Sequence, residues 1–311
     1  MEAPAISIIV PLFNEESVFA QLIERLQHVI NLCGEETEVI LVDDGSNDAT
    51  ADLISNIALS DPKFTGLILS KNHGHQLAVS AGLSYAKGTK AVFVIDGDLQ
   101  DPPELLTDFY RKMNEGYDVV YAVRKNRKET GLKKFFYWIY YRLQRKVSNT
   151  AIPIDAGDFS LLSRRVVDHI NSMPEQSRYL RGMRSWIGFK QFGFEYDRDA
   201  RAAGKTKYSW KKLIELAFNG IFNFSDFPIR FITRLGIVTI ILSLIYIFYI
   251  LVKKFMGLYV PEGFTTLIIA ICLFSGVQLI SIGVLGEYVL RIYKQVRNRP
   301  LFIIDKIISK K

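Results

Sequence analysis

Two long stretches without a charged residue constrain the fold of this chain more than any other feature. They cover residues 235–252 and 264–286, which are 18 and 23 residues long. As α-helices they would reach about 27 and 34 Å, close to the roughly 30 Å hydrocarbon core of a bilayer. A short turn-rich connection separates them, so the sequence predicts a transmembrane helical hairpin. Two buried core helices are the alternative interpretation.

The basic residues around these stretches predict their orientation. Arg230 and Arg234 precede the first stretch, whereas the connection contains only Lys253 and Lys254. Four more basic residues follow the second stretch, namely Arg291, Lys294, Arg297 and Arg299. Because basic residues are enriched on the cytoplasmic side of membrane proteins, both ends of the hairpin are expected there. The large N-terminal part is then cytoplasmic, and the protein is a multi-pass protein of the cytoplasmic membrane.

Composition narrows the function classes. The chain has 311 residues, a net charge of +7 and a sequence pI near 9.2. A basic balance fits nucleic acid, an anionic membrane surface or phosphorylated substrates, so the position of the charges must decide between them. Two cysteines exclude a disulfide framework and a CxxC metal site. The N-terminus has no basic region before its first apolar run, so no signal peptide is expected.

The first hundred residues alternate between strand and helix patterns. Predicted strands cover residues 5–10, 38–42, 65–69 and 91–95, and predicted helices cover 15–31, 50–59 and 74–87. Such alternation predicts an α/β fold with a mainly parallel sheet. The third helix has small residues at Gly74, Ala78, Gly82 and Ala86, which would let it lie close to the sheet. No GxGxxG follows the first strand, which disfavours a dinucleotide-binding fold.

The fourth predicted strand ends in a cluster of polar side chains. Asp96, Asp98, Gln100 and Asp101 follow it directly, and Pro102 and Pro103 end the segment. Open α/β sheets bind their ligands at the carboxyl ends of strands. Asp96 and Asp98 are two residues apart and can face one cation, and hard oxygen ligands suit Mg²⁺ or Mn²⁺. A polar turn without metal is the alternative.

Polar residues also follow the first and second predicted strands. The first strand leads into Pro11, Asn14 and Glu15, and the second into Asp43 and Asp44. In a parallel sheet these ends lie at one edge, where their oxygens can accept hydrogen bonds from a base and a ribose. Helix capping is the alternative role and does not exclude the first.

The middle of the chain is less regular. Residues 117–123 predict a fifth strand. Residues 133–147 mix aromatic and basic side chains, which is typical of a helix at a membrane surface, although an ordinary amphipathic helix packed on the domain is also possible. Residues 210–231 have the same character. His73 and His75 flank Gly74, and a structural role or a contact with the donor is expected for them rather than metal ligation.

Three strings, residues 10–15, 42–46 and 96–103, resemble the family 2 glycosyltransferases, which have the GT-A nucleotide-sugar fold. Later strings resemble the branch of that family that acts on polyprenyl phosphates, which includes bacterial undecaprenyl-phosphate glucosyltransferases. These strings are residues 121–124, 157–159, 178–183 and 204–208. The chain lacks the Gln-x-x-Arg-Trp string of processive polysaccharide synthases, so transfer of a single sugar is expected.

The resemblance implies roles for individual residues. The nucleotide-sugar is expected to contact Pro11, Asn14, Glu15, Asp43, Asp44, Asp96 and Lys207. The metal on the diphosphate is expected at Asp98, Gln100 and Asp96. The candidate catalytic carboxylates are Asp158, Asp155 and Asp96. The acceptor phosphate is expected at Arg124, with Lys133 and Lys134 either contributing or forming a solvated basic face toward anionic lipid.

The resulting expectation is an inverting, metal-dependent enzyme with Mg²⁺ or Mn²⁺ as cofactor. It would transfer one hexose, preferably glucose, from a UDP-sugar to undecaprenyl phosphate. Alternatives are another UDP-sugar, such as N-acetylglucosamine or an aminoarabinose derivative, and an inactive scaffold or flippase-associated protein. Partners are the donor, the lipid, the membrane and further copies of the chain, without nucleic acid. The expected units are residues 1–209 (catalytic), 210–234 (juxtamembrane), 235–287 (two membrane helices) and 288–311 (basic tail).

Overall fold

A computed structural model describes residues 3–125, 156–197, 227–257 and 263–310. The strands in these ranges are β1 (Ile6–Leu12), β2 (Thr37–Asp43), β3 (Phe64–Leu69), β4 (Ala91–Val94), β5 (Val119–Arg124), β6 (Ala156–Ser163), β7 (Gln191–Tyr196) and β8 (Ile304–Ser309). The helices are α1 (Glu16–Cys33), α2 (Thr50–Ser60), α3 (His75–Tyr85), α4 (Leu106–Asn114), α5 (Arg164–Ser172), α6 (Leu180–Ile187), α7 (Phe227–Phe255) and α8 (Phe264–Val296).

The strands form one mixed, mostly parallel sheet in the order β7-β5-β6-β4-β1-β2-β3-β8. Strands β6 and β8 run antiparallel to their neighbours. The other six strands point the same way. The predicted α/β class and the mainly parallel sheet are therefore confirmed.

The five predicted strands and three predicted helices are present, with ends that differ by a few residues. Strand β6, which separates β4 from β5, has no counterpart in the sequence-based prediction. Its sequence, AGDFSLLS, has neither a clean alternation nor a long apolar run. It pairs with residues about 30 to 70 positions earlier in the chain, and local periodicity carries no information about such a pairing.

Helices cover both faces of the sheet. The core on one face includes Val18 and Leu22 of α1 and Phe109 of α4, whereas the core on the other includes Ala78 of α3. Helix α3 lies so close to β1 that a Cβ added to Gly82 would be 2.3 Å from Ile9 Cγ2. This close approach explains the small residues along α3, as the sequence indicated.

The end of the chain returns to the sheet. Residues 304–309, which the sequence analysis placed in a basic tail, form β8 along the outer edge of β3. The Ser70 N–H also donates to the Ile303 carbonyl at 2.9 Å. Strand β8 is therefore the edge strand on this side of the sheet, in place of β3.

Helices α7 and α8 contain the two uncharged stretches. In the described part of the chain, the stretch Leu273–Val296 is long and apolar enough to cross a membrane by length and composition. Large apolar side chains of both helices are exposed, such as Phe248 at 68% and Leu279 at 70%. One helix thus qualifies as a membrane span on these criteria, and the hairpin remains an expectation.

Candidate active site

Five strands place the described predicted site residues at one end of the sheet, namely β1, β2, β4 and β5 through their last residues and β6 through its first residues. Because β6 runs antiparallel, its first residues lie beside the last residues of β4 and β5. Its register pairs Ser160 with Val94, so Asp158 lies just beyond the end of β4, next to Asp96. Arg124 ends β5 on the same side, paired with Tyr196 at the end of β7. Asp96, Asp158 and Arg124, which are far apart in sequence, thus belong to one site.

The loops after β1 and β2 are joined by hydrogen bonds. The Asn14 N–H donates to Ser46 Oγ at 2.9 Å, and Asn14 Oδ1 accepts from the Asn47 N–H at 2.8 Å. The Glu15 N–H donates to Thr50 Oγ1 at 3.0 Å. Asn14 has a φ of 52°, a strained left-handed conformation that occurs often at functional sites. These bonds join the two predicted nucleotide-binding loops into one surface.

Asp43 and Asp44 are both buried but serve different loops. The Asp43 carboxylate accepts from the Ser46 N–H at 3.2 and 3.3 Å. The Asp44 carboxylate accepts from the His73 N–H at 2.7 Å and the Gly74 N–H at 3.0 Å, and burial raises its pKa. Asp44 therefore fixes the start of α3, which makes Asp43 the better candidate of the two for a ligand contact.

The turn after β4 is also strained. Leu99, which is buried, has a φ of 58°, a left-handed conformation that is rare for a bulky residue. Asp98 is 8% exposed, and its Oδ1 accepts from the Gln100 N–H at 3.2 Å. The Asp101 carboxylate accepts a short hydrogen bond from the Tyr196 hydroxyl. The turn is thus held from both sides, by the burial of Leu99 and by the end of β7.

Asp158 is held by side chains from two helices. Arg181 of α6 donates to both of its oxygens, at 2.9 and 3.0 Å. Gln76 Nε2 of α3 donates to Asp158 Oδ2 at 2.9 Å, and Gln76 Oε1 accepts from the Leu180 N–H at 2.9 Å. His75 Nε2 lies 3.5 Å from Asp158 Oδ2 and 3.5 Å from Asp96 Oδ1. The carboxylate therefore has a defined orientation before any substrate binds.

These contacts determine the charge state of the site. Burial acts to raise the pKa of Asp158, but Arg181 and His75 outweigh it and hold that pKa well below its usual value. Burial acts to lower the pKa of His75, but its hydrogen bond to Asp158 and the charge of Asp96 raise it to about 9. Asp158 is therefore an ionised carboxylate beside a histidinium at neutral pH and is a poor base.

Two arginines lie beside the start of β6. Arg124 is close to the Tyr196 hydroxyl and, through Nη2, 4.0 Å from the position of a Cβ on Gly157. Arg184 is 3% exposed, donates to the Gly157 carbonyl at 3.3 Å and stacks over the Tyr121 ring. Burial lowers the pKa of Arg184 to about 10, so it remains charged at neutral pH. These cations make this end of the site suitable for an anion.

A small cavity of about 20 Å³ lies behind Asp158, between the sheet and the helices α3, α5 and α6. Its lining is mostly apolar and also includes Asp158, Arg181 and Arg184. None of the predicted nucleotide-contacting residues lines it, so this cavity is not the donor site.

The acidic turn fits a divalent cation held jointly with a substrate. Burial, with the nearby carboxylates of Asp101, Asp158 and Asp98, raises the pKa of Asp96 to about 6 despite the opposing effect of His75. Such crowding of carboxylates favours a bound cation. Among the described residues, no three His, Cys, Asp or Glu side chains are placed to hold a metal by themselves. Mg²⁺ and Mn²⁺ commonly bind through one or two carboxylates plus substrate phosphates. This turn can supply the carboxylates, and a bound substrate would supply the phosphates.

Four predicted site residues, Asp155, Lys133, Lys134 and Lys207, lie outside the described residues. Conversely, no sequence pattern identified Gln76, Arg181 or Arg184 individually. The two arginines belong to or follow the string 178–183 that carried the resemblance, which was the only available signal. Nothing in the sequence marked Gln76, because its role depends on contacts with residues 82 and 104 positions away.

The chain is similar to known glycosyltransferases, both to a family model and to relatives that match over nearly its whole length. The family model described as "Glycosyl transferase family 2" matches residues 7–170, just over half of the chain. The uncharacterized glycosyltransferase YkcC of Bacillus subtilis is 42% identical over 301 residues, covering 96% of this chain and 93% of the relative. The bactoprenol glucosyl transferase of Shigella phage SfII is 39% identical over 302 residues, covering 97% of each chain.

Among solved structures, mannosyltransferase PcManGT from Pyrobaculum calidifontis, in complex with GDP-Man and Mn²⁺, matches with a TM-score of 0.46. It is 16% identical and covers 72% of this chain and 69% of its own. The mixed, mostly parallel sheet and the match to the family model agree with a GT-A-like α/β fold. From the match to the family model and the full-length relatives, the chain belongs to glycosyltransferase family 2.

Proposed function

We propose that the protein transfers glucose from UDP-glucose to undecaprenyl phosphate at the cytoplasmic face of the membrane. The proposal rests on one observation above all: the donor-side residue Asp96, the fixed carboxylate Asp158 and the acceptor-side Arg124 converge on one sheet edge. Several relatives that match over nearly the whole chain are named bactoprenol glucosyl transferases, at 37–39% identity. These names favour glucose and bactoprenol over other sugars and acceptors.

This reaction requires no general base, because the acceptor has no proton to lose. The anomeric carbon–oxygen bond to UDP breaks, and UDP leaves with the bonding electrons while a phosphate oxygen of the lipid forms the new bond. A phosphomonoester has a second pKa near 6, so the acceptor is mostly a dianion at pH 7 and loses no proton. This agrees with the low pKa of Asp158, which keeps it ionised and poorly basic. Attack from the face opposite UDP gives an inverted product.

In this proposal the residues divide into three groups. The nucleotide lies on the joined loops around Asn14, Glu15 and Asp43, while Asp96, Asp98 and Gln100 hold Mg²⁺ or Mn²⁺. When bound, the ion supplies positive charge for the diphosphate that leaves. Arg124 binds the acceptor phosphate, and Asp158 orients the residues around the reacting sugar. Lys207, Lys133, Lys134 and Asp155 retain the roles that the family resemblance implies.

Transfer of radiolabel from UDP-sugars into a lipid extract tests the proposal. The purified full chain is incubated with undecaprenyl phosphate and one UDP-sugar at a time, with Mg²⁺, with Mn²⁺ or with a chelator. The expected result is a glucose-labelled lipid that forms only when metal is present. Preferred use of UDP-N-acetylglucosamine would show that the transferred sugar is N-acetylglucosamine and not glucose. The absence of labelled lipid with every donor would favour an inactive scaffold.

A further inference from the structure

The last turn of α8 is attached to the connection between α5 and α6, which covers residues 173–179. Gln295 Oε1 accepts from the Gln176 N–H at 3.0 Å, and Gln295 Nε2 donates to the Pro174 carbonyl at 2.6 Å. Gln176 Nε2 donates to the Arg299 carbonyl at 3.0 Å. We refer to these three hydrogen bonds as the Gln295 clasp. They join the end of the apolar helix to a segment of the catalytic domain that is distant in sequence.

The same connection ends at the active site. Leu180, only four residues after Gln176, donates its N–H to Gln76, whose amide group binds Asp158. Four residues span at most about 14 Å of extended chain. The guanidinium of Arg178 donates to the carbonyls of Ile170 and Met173, at 2.8 and 2.9 Å, which stiffens the connection against the end of α5. A short, hydrogen-bonded path thus joins Gln295 to Asp158.

The position of the clasp along α8 places it near the level of the lipid phosphates. It lies in the basic segment that follows the uncharged stretch 264–286, about nine residues or roughly 14 Å along the helix, where Lys294, Arg297 and Arg299 cluster. Basic residues at the end of a membrane helix lie at the level of the lipid phosphates. The phosphate of a polyprenyl phosphate lies at that same level, because its isoprenoid chain is in the hydrocarbon core.

We propose that Gln295 and Gln176 are positioning residues for the lipid acceptor, because their clasp sets the height of the active site above the lipid phosphates. This proposal rests on the proposed function. It identifies the acceptor as a phosphate held at the membrane surface. The active site must therefore lie at the same depth as that phosphate. An acceptor that diffuses freely in water has no fixed depth, so the clasp does not affect its use.

The experiment compares two acceptors with full-length protein in liposomes. One is undecaprenyl phosphate in the bilayer, and the other is a short, water-soluble polyprenyl phosphate. Gln295→Ala removes two hydrogen bonds of the clasp, and Gln176→Ala removes only the bond to the Arg299 carbonyl. Gln27→Ala, an exposed glutamine of α1, is the matched control.

A hydrogen bond contributes about 1 kcal/mol net, so each one lost corresponds to roughly a fivefold change at most. We expect Gln295→Ala to raise the KM for undecaprenyl phosphate by about tenfold, and Gln176→Ala by about threefold. The KM for UDP-glucose, and both kcat and KM with the soluble acceptor, should stay within about twofold of wild type and of Gln27→Ala.

Three results would overturn the positioning role. The first is an equal loss with both acceptors, and the second is the loss of all activity in Gln295→Ala; either would show that the clasp is a general folding contact. The third is no change with either acceptor, which would show that the clasp does not affect acceptor use. A wild-type protein that transfers sugar to neither acceptor would instead refute the proposed function. The two failures are therefore distinguishable.

Discussion

The contacts of Asp158 indicate which role its carboxylate has in the reaction. Its carboxylate receives hydrogen bonds from Arg181 and Gln76 and lies beside His75. A general base would need a pKa near the working pH, but these partners hold the pKa of Asp158 well below its usual value. Its role at the residue scale is therefore to orient the groups around it.

The first prediction concerns Asp158→Asn, which keeps the shape of the side chain and removes its charge. Hydrogen bonds to charged groups contribute about 1.5–3 kcal/mol, so kcat should fall by about 10- to 100-fold. Because no proton is removed by this residue, the pH–rate profile of the variant should show no recovery of activity between pH 6 and pH 9. A new kinetic pKa with recovery of activity at high pH would contradict it. Asp168→Asn, on the exposed face of α5, is the control.

The second prediction concerns Gln76, which joins Asp158 to the first turn of α6. Gln76→Ala removes both hydrogen bonds and should lower kcat by about fivefold to tenfold. Gln76→Glu keeps an acceptor for the Leu180 N–H but puts a second carboxylate against Asp158. Steady-state kinetics should therefore show Gln76→Glu to be more impaired than Gln76→Ala, and the opposite order would show that the contact with Asp158 is unimportant.

At the scale of elements, Asp118 shows how the part of the sheet that includes β6 is held in place. It lies just before β5, and its buried carboxylate accepts from the guanidinium of Arg165 on α5 and from the Ser163 hydroxyl at 3.1 Å. The hydrogen bonds from Arg165 are the main reason that the pKa of Asp118 is below its usual value. The pair thus attaches α5 to β5 across the antiparallel strand.

The third prediction follows from the sign of this shift. A folded-state pKa below the unfolded value stabilises the fold above about pH 4, and this contribution is lost as the pH falls through the folded-state pKa. Asp118→Asn should cost about 1 kcal/mol at neutral pH, since Arg165 is solvent-exposed. In thermal unfolding, the difference in Tm from wild type should be largest at pH 7 and shrink below pH 4. Asp108→Asn, in an exposed pair, should leave Tm unchanged; a constant difference at every pH would contradict the assignment.

At the scale of the whole molecule, β8 determines on which side of the membrane α8 ends. This strand pairs with β3, so the residues after α8 lie on the same side as the catalytic sheet. If α8 crosses the bilayer, the connection between α7 and α8 must then lie on the opposite side, and α7 must cross as well. The hairpin orientation inferred from basic residues is compatible with this arrangement.

The fourth prediction tests that topology with single cysteines in a chain whose Cys33 and Cys272 are replaced by serine. Met256→Cys, next to the connection, should react with a membrane-impermeant maleimide added to intact cells. Ser309→Cys, in β8, should react only after permeabilisation. Labelling of both positions from the same side would exclude the hairpin.

The sequence by itself determined strands β1 to β5 and helices α1 to α3, because each of them has a local period that survives without tertiary contacts, whereas the parallel strand β7 was not predicted. It also determined the acidic strand ends, since parallel strands must bring Asn14, Asp43 and Asp96 to one edge. Only the tertiary structure decided that β6 inserts antiparallel between β4 and β5, which brings Asp158 against Asp96. It likewise decided that β8 adds to the sheet beside β3 and that Gln76 and Gln295 join helices to loops. Such pairings depend on the free energy of contacts between residues far apart in the chain, and a local pattern does not record them.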